Sequence, residues 1–303
     1  MGCSCLSFTS LYGRYLRRCL ISAGLTSQLI NIDNQTRIHV WGPKPNNSET
    51  ILPKPAVLLI HGFGPQGMWQ WRMQAVFLAK LFDVYMPDLV FFGESFTSGP
   101  ERSEIFQAEC MGKMMDKLGV ESYSVVGTSY GGFVAYHMAT MMPEKVDKVV
   151  IASSGVNMRL RDNQDLVKRA NMDRIEDVML PKTAVQLRSL MVLAVFRRVR
   201  LPDFFLNDFI ETLYNQNRQE KLELLKGLTI GHNDVVRLSP LRQEALIIWG
   251  ENDRIFLLEK AEELKDILGG NVKLEVIKNT AHVPQLEHPE EFNSILKNFL
   301  CGL

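Results

Sequence analysis

Short apolar runs alternate with longer amphipathic stretches along most of the chain. Runs rich in β-branched residues predict eight strands, at Leu29–Asp33, Arg37–Trp41, Ala56–Ile60, Phe82–Met86, Ser122–Val126, Asp147–Ala152, Glu244–Trp249 and Val272–Ile277. Helical spacing of apolar residues predicts helices at Gln70–Lys80, Ser103–Leu118, Ser129–Met142, Leu257–Leu268 and Pro289–Phe299. An opening hairpin followed by strand–helix alternation indicates an α/β fold, with a mostly parallel eight-stranded sheet and helices on both faces.

The alternation stops between about residues 157 and 232. This stretch contains helix-compatible segments that carry Arg and Met residues and are interrupted by Pro181 and Pro202. A helical excursion from one edge of a sheet indicates a cap or lid. The predicted organisation is therefore an N-terminal segment (1–28), a core domain in two parts (29–156 and 233–303) and a helical cap insertion (157–232).

The N-terminal segment differs from the rest because it contains three arginines and no acidic residue. Apolar residues recur there at helical spacing, at Phe8, Tyr12, Tyr15, Leu16, Cys19 and Leu20. Such an amphipathic helix can pack on the domain or over its pocket, or can attach residues 1–25 peripherally to a membrane surface. Met1-Gly2-Cys3 also suggests lipidation, although Leu6 stands where Ser or Thr is preferred. A transit peptide that targets an organelle is a further alternative.

Charge and cysteine content narrow the class of protein. The 34 basic and 34 acidic side chains balance, so no overall field favours a nucleic-acid partner. No apolar window reaches the roughly 18 residues needed to span a bilayer. The five cysteines are odd in number, scattered and without metal-ligand spacing, which favours reduced thiols and a cytoplasmic protein. No cofactor and no metal site are indicated.

One short motif carries candidate chemistry. Gly127-Thr128-Ser129-Tyr130-Gly131 fits the pattern G-x-S-x-G and lies between a predicted strand and a predicted helix. That layout is typical of a nucleophile elbow, a tight turn that holds a serine at its tip. A helix N-cap in a glycine-rich turn would also explain the serine. A serine nucleophile additionally needs a base and a carboxylate that orients the base.

Candidates for both groups follow later strands. Among the six histidines, we favour His282 as the base, since it comes directly after the last predicted strand, at the edge where α/β sheets bind ligands. His61 follows an earlier strand and is expected to shape its loop instead. Asp253 follows the strand Glu244–Trp249 and is favoured over Glu251 as the carboxylate. The predicted catalytic residues are therefore Ser129, Asp253 and His282.

The chemistry also requires N–H groups that stabilise an oxyanion. One is expected from the amide of Tyr130, directly after the serine, and the other from the amide of Phe63 in the glycine-containing loop 61–64. Phe63, Tyr130, Gly64 and Val283 are also predicted to bind the substrate.

Five segments together resemble motifs of the α/β-hydrolase fold superfamily, and the resemblance runs from about Ile30 to the C-terminus. These segments are His61–Gly64, Pro87–Ser95, Val125–Gly132, Trp249–Ile255 and Ala281–Phe292. Within the superfamily the chain is similar to plant-type serine esterases and lipases related to monoacylglycerol lipases. It is also similar to the meta-cleavage-product hydrolases, which split C–C bonds, but Val283 stands where that group usually has Trp.

The residues and the resemblance together predict a serine hydrolase that acts through an acyl-enzyme. Its expected substrate is a small-molecule carboxylic ester with an apolar acyl group, such as an acylglycerol. Two alternatives would use the same three residues. They are a C–C bond hydrolase of the meta-cleavage type and a hydrolase-fold small-molecule receptor with slow turnover.

Overall fold

The computed structural model of the protein describes residues 7–44 and 54–303. Its strands are β1 (Leu25–Asn31), β2 (Thr36–Pro43), β3 (Ala56–Ile60), β4 (Asp83–Pro87), β5 (Phe96–Thr97), β6 (Tyr123–Thr128), β7 (Val146–Ala152), β8 (Glu244–Gly250) and β9 (Val272–Ile277). Its helices are α1 (Phe8–Ser22), α2 (Gly67–Leu78), α3 (Glu104–Lys117), α4 (Tyr130–Met141), α5 (Leu160–Ala170), α6 (Ile175–Met179), α7 (Ala184–Ala194), α8 (Asp203–Leu213), α9 (Arg218–Lys226), α10 (Leu258–Leu268), α11 (Pro284–Glu287) and α12 (Pro289–Cys301). The predicted lipidation signal at Met1-Gly2-Cys3 lies outside the described residues.

The sheet confirms the predicted fold class. Its strand order is β1-β2-β4-β3-β6-β7-β8-β9, and the two-residue strand β5 pairs with β2 beside this path. Strands β1 and β2 form an antiparallel hairpin, whereas β3, β4, β6, β7, β8 and β9 pair in parallel. The carboxyl ends of these parallel strands therefore meet at one edge, which is where an α/β sheet binds ligands.

The sheet begins four residues earlier than the sequence pattern predicts. Leu25 pairs with Pro43, and the pairing continues in register to Asn31 opposite Arg37. Thr26, Ser27 and Gln28 gave no apolar signal because β1 is an edge strand, whose outward side chains face solvent. The N-terminal segment outside the sheet is correspondingly shorter than the predicted range 1–28.

Two hydrophobic clusters cover the two faces of the sheet. One cluster packs α3, α4 and α10 against the sheet. The other joins α1, α2 and α12 to the opposite face and continues into α7 and α8. Trp249 on β8 and Trp71 on α2 are fully buried, one in each cluster. Burial of this much apolar surface on both faces is what fixes the positions of the strand ends.

Helix α1 packs on the domain through its apolar stripe. Leu16 and Leu20 are buried in the cluster that contains α2. At the amino end of α1, the amide of Thr9 donates a 2.8 Å hydrogen bond to a carboxylate oxygen of Asp208 on α8. Burial raises the pKa of Asp208, but hydrogen bonds from Ser7, Thr9 and Phe8 outweigh that effect and hold the pKa below its ordinary value. A carboxylate in this position satisfies free N–H groups of the helix and complements its dipole.

Helices α5–α9 lie between β7 and β8, over the carboxyl edge of the sheet. Their first residues are tied to the core by Glu263 on α10, which accepts hydrogen bonds from Arg159 and from Asn157. The hydrogen bond from Arg159 is the main reason why the pKa of Glu263 is lowered to about 2. An ion pair therefore anchors the first helix of this group to the core.

Two further observations concern the chain as a whole. Within residues 7–44 and 54–303, no helix combines the length and the apolar character that crossing a bilayer requires. Cys19, Cys110 and Cys301, the cysteines in those ranges, carry free thiols.

Candidate active site

Ser129 occupies a strained turn between β6 and α4. Its backbone has φ 52° and ψ −122°, a conformation that L-residues rarely adopt. A Cβ on Gly127 would lie 2.1 Å from the carbonyl oxygen of Gly131, and one on Gly131 would lie 2.3 Å from the carbonyl oxygen of Ile60. The motif glycines are thus required by close backbone contacts, and the serine is held at the tip of an elbow.

His282 and Asp253 form a buried hydrogen-bonded pair. Nδ1 of His282 lies 2.9 Å from Oδ2 of Asp253. The other carboxylate oxygen accepts hydrogen bonds from the amides of Ile255 and Phe256 at 2.8 and 3.0 Å, which fixes the orientation of the carboxylate. Nδ1 therefore carries the proton, and Nε2 is left as the basic atom.

Ser129 and His282 line the same cavity. The hydroxyl of Ser129 has no hydrogen-bond partner among the described residues, while its backbone is fixed. The amide of Ser129 donates to the carbonyl of Ala152 at 2.9 Å, and Ser154 Oγ donates to its carbonyl at 2.6 Å. Hydrogen bonds between a nucleophile and its base are commonly longer without substrate and shorten when substrate binds. The structure thus places Ser129 and His282 on one cavity, and Asp253, which is not part of the lining, is hydrogen-bonded to His282.

The loop that carries Phe63 is held by Gln70 on α2. The amide of Gly62 donates to Oε1 of Gln70 at 2.9 Å, and Nε2 of Gln70 donates to the carbonyls of Gly62 and Pro65. Within the described residues, the amides of Phe63 and Tyr130 donate no hydrogen bond. Two N–H groups near Ser129 are therefore available for an oxyanion. Sequence reasoning missed Gln70, because the Gln side chain gives no local signal of this contact.

The buried side chain of His61 also holds this loop in place. The amide of Leu89 donates to its Nε2 at 3.0 Å, and its Nδ1 lies 2.8 Å from the carbonyl oxygen of Gly62. Burial lowers the pKa of His61, which keeps the ring neutral with the proton on Nδ1. This agrees with the expectation that His61 shapes its loop.

A second serine, histidine and aspartate lie in hydrogen-bond contact elsewhere in the fold. Ser27 Oγ lies 2.8 Å from Nε2 of His39, and Nδ1 of His39 lies 2.9 Å from Oδ2 of Asp88. The other oxygen of Asp88 accepts from the amide of Gly67, the first residue of α2. Ser27 lies on the edge strand β1 and does not line the cavity of Ser129. We therefore attribute a structural role to these residues, which hold the start of α2.

The cavity beside Ser129 is about 540 Å³ in volume and is mainly apolar. Its apolar lining includes Phe8, Trp69, Met179, Leu187, Leu190, Met191, Phe205, Leu206, Phe209 and Leu286. Polar atoms come from a few side chains, among them Thr9, Gln70 and Arg72. The helices over the sheet and α1 together supply most of this wall. Phe8 and Tyr12 of α1 belong to it, which corresponds to one of the alternatives given for this helix, packing over the pocket.

Two of the four predicted substrate-binding residues line the cavity, and two do not. Phe63 and Val283 are part of the lining, whereas Gly64 and Tyr130 are not. The Tyr130 ring is instead buried against Phe63 and Phe133, and burial raises the pKa of its hydroxyl well above the ordinary value. Since Tyr130 begins α4, its side chain points back into the protein while its amide stays near Ser129. The predicted side-chain role of Tyr130 is therefore not supported by the geometry.

The described residues contain no group of three or more His, Cys, Asp or Glu side chains that could hold a metal ion. The arrangement at Ser129 suits nucleophilic attack by a serine hydroxyl and proton transfer by a histidine.

Comparison with known proteins identifies the family. A family model described as the alpha/beta hydrolase fold matches residues 55–289. The chain belongs to this family. It is accordingly a serine hydrolase of the α/β fold, with relatives among meta-cleavage product hydrolases and structural neighbours among lipases.

Two relatives show how broad the similarity is. A 2-hydroxymuconate semialdehyde hydrolase of Pseudomonas sp. (strain CF600) is 27% identical over 255 residues, which cover 81% of this chain and 86% of the relative. A 2-hydroxy-6-oxononadienedioate/2-hydroxy-6-oxononatrienedioate hydrolase of Paraburkholderia phymatum is 26% identical over 295 residues, which cover 91% of this chain and 96% of the relative. Among solved structures, a putative lipase from Acinetobacter baumannii has a TM-score of 0.79 at 24% identity, with 96% of both chains covered.

Proposed function

We propose that this protein hydrolyses carboxylic esters that carry an apolar acyl group. One observation carries the proposal. Ser129, held at a strained elbow, shares an apolar cavity with His282, whose Nδ1 is hydrogen-bonded to Asp253. A serine hydroxyl with an imidazole nearby that a carboxylate orients is suited to attack an acyl carbonyl.

The reaction follows from these positions. Ser129 Oγ attacks the carbonyl carbon, and its proton passes to Nε2 of His282. The negative charge on the carbonyl oxygen is stabilised by the amides of Phe63 and Tyr130, and Asp253 stabilises the imidazolium. His282 then returns the proton to the leaving alcohol, which leaves an acyl-enzyme. Water attacks the acyl-enzyme with His282 as base, and the carboxylic acid is released.

The lining of the cavity supports an apolar acyl group. Leu187, Leu190 and Met191 on α7 face the same space as Phe205 and Phe209 on α8. Transfer of each methylene of an acyl chain from water to such a wall contributes about 0.8 kcal/mol. We therefore expect kcat/KM to rise from acetyl through octanoyl esters of p-nitrophenol. Equal values along the series would contradict the proposed acyl preference.

The serine assignment is tested with a fluorophosphonate probe, which labels activated serines. We expect the wild-type protein to be labelled and the Ser129→Ala variant to remain unlabelled. Ser27→Ala is the matched control, because Ser27 also contacts a His–Asp pair but lies outside the cavity. Full labelling of Ser129→Ala, or loss of labelling in Ser27→Ala alone, would refute the assignment.

A second candidate function is hydrolysis of a C–C bond. It is favoured by the curated relatives, which are 25–27% identical to this chain over 81–91% of its length. The substrate would be a vinylogous diketone with a carboxylate, and Arg72 is a cation in the cavity lining that could receive this carboxylate. Its Nη1 already donates to the carbonyl of Trp69 at 2.7 Å. Faster turnover of a 2-hydroxy-6-oxohexa-2,4-dienoate than of any ester in the series would decide for this candidate.

A further inference from the structure

An exposed surface of mixed apolar and cationic character borders the cavity. Every residue from Phe196 to Phe204 is exposed, a range that contains most of the connection between α7 and α8 and the first two residues of α8. This segment contains three arginines, at 197, 198 and 200, and four large apolar side chains. These apolar side chains are Phe196, Val199, Leu201 and Phe204, which are 38–57% exposed. Contiguous exposed apolar groups of this kind indicate an interaction site.

Helix α1 extends this surface. Its exposed face presents Phe8, Leu11, Tyr12 and Tyr15, which are 40–58% exposed, and the arginines 14 and 18. The two elements are in contact, since the ring of Phe8 lies 6.2 Å from that of Phe204 and 4.8 Å from that of Phe205. We call the exposed face of α1 and residues 196–204 together the docking surface.

The cavity opens into the docking surface. Phe8 and Tyr12 of α1 and Leu201 of the connecting segment line the cavity, although all three are also more than a third exposed. An apolar molecule held at this surface would therefore reach the wall of the cavity without crossing water.

The charge of the docking surface determines which partner fits it. The sequence contains no Asp or Glu from residue 7 to 32 or from residue 178 to 202, although acidic and basic residues balance overall. Asp203, at the end of the segment, is paired with Arg188. Among the described residues, the arginines 14, 18, 197, 198 and 200 take part in no ion pair. A second copy of the chain would place these cations against each other.

We propose that the docking surface binds a bilayer that contains anionic phospholipids, with the cavity opening toward the lipid. Aromatic and aliphatic side chains would enter the headgroup region, and the arginines would contact the phosphates and anionic headgroups. The binding itself is independent of turnover. Only the passage of an ester from bilayer to cavity rests on the proposed function.

Charge reversal tests the proposal better than removal of residues 1–25, because α1 contributes buried core residues and cavity wall. Full-length protein is sedimented with vesicles of phosphatidylcholine alone or with added phosphatidylserine. The test variant is Arg197→Glu, Arg198→Glu, Arg200→Glu. The matched control is Lys80→Glu, Lys117→Glu, Arg242→Glu, three exposed residues that lie shortly before β4, β6 and β8 and hence at the opposite edge of the sheet.

We expect the wild-type protein to bind the anionic vesicles at least tenfold more tightly than the neutral ones. Each arginine near an anionic surface raises the affinity for that surface roughly fivefold. The test variant should therefore lose most of the preference for anionic vesicles, while the control variant keeps it. The Ser129→Ala protein should bind like the wild type, which separates this result from the outcome for the ester hydrolase. Equal affinity for both vesicles, or equal loss in the control, would overturn the proposal. The proposal would also be overturned if the wild-type protein did not bind vesicles but associated with itself or with an acidic protein, and if the test variant abolished that association.

Discussion

The backbone of Ser129 makes a quantitative prediction about stability. At φ 52° and ψ −122° the residue is in a region that costs about 1–3 kcal/mol for a side chain with a Cβ. Ser129→Gly removes this cost, whereas Ser129→Ala keeps it, and both variants lose the hydroxyl. Glycine also makes the unfolded chain more flexible, which costs about 0.4–1 kcal/mol. We therefore expect the glycine variant to be about 1 kcal/mol more stable than the alanine variant, and both to be inactive.

The assay is urea unfolding followed by fluorescence of the four tryptophans, with thermal unfolding as a second measure. For a chain of 303 residues, 1 kcal/mol corresponds to about 1.5 °C in Tm. Glu262→Ala and Glu262→Gly form the control pair, because Glu262 is an exposed residue within α10. Alanine should be the more stable of that pair by about 1 kcal/mol. If alanine is also the more stable residue at position 129, the turn is not strained and the reasoning is refuted.

Three further predictions concern polar side chains that hold the site loop or the helices α5–α9 in place. Gln70→Ala should lower kcat by tenfold or more with a smaller change in KM, because the loop that carries the Phe63 amide loses its hydrogen bonds to Gln70. An unchanged kcat would contradict this role. Burial lowers the pKa of Lys221 to about 8, so the free energy of unfolding should rise as pH increases from about 8 to 10.5. Lys221→Met should be about 1–3 kcal/mol more stable than the wild type at pH 7, and urea unfolding of this variant should no longer show that pH dependence. The pKa of Glu263 is lowered to about 2, so the stability that its carboxylate confers is complete above about pH 4.5 and is lost as pH falls toward 2. The Tm of Glu263→Gln should therefore fall less over that pH range than the Tm of the wild type.

The sequence predicted those parts of the fold whose signals are local. Strands such as Ala56–Ile60 are buried on both faces and read as uninterrupted apolar runs. The elbow glycines, Asp253 and His282 were predicted for a similar reason, because each lies at the end of a strand or after it, at the carboxyl edge of the sheet. That they lie near one another follows from the parallel arrangement of the strands, although of the predicted catalytic residues only Ser129 and His282 line the cavity.

Other features depend on contacts between distant parts of the chain and left no local pattern. Strand β5 has only two residues and exists through its pairing with β2. Gln70 supports the loop 62–65 only because α2 folds back beside that loop. Tyr130 was predicted to bind substrate because it neighbours Ser129, but a residue at the first position of α4 directs its side chain away from the cavity. Being next to Ser129 in the sequence therefore indicated the position of the Tyr130 amide but not the direction of its ring.

The hydrogen bond between Thr9 and Asp208 has a consequence for how the protein is made. It joins residues 199 positions apart, so α1 leaves the ribosome long before the residue that caps it is synthesised. At about 5–20 residues per second, this interval lasts on the order of 10–40 s. Throughout that time Leu16 and Leu20 have no complete partner surface, and the cluster they join is still being translated. Helix α1 is therefore made early and fixed late, and an amphipathic helix whose apolar face is not yet covered is a natural target for a chaperone.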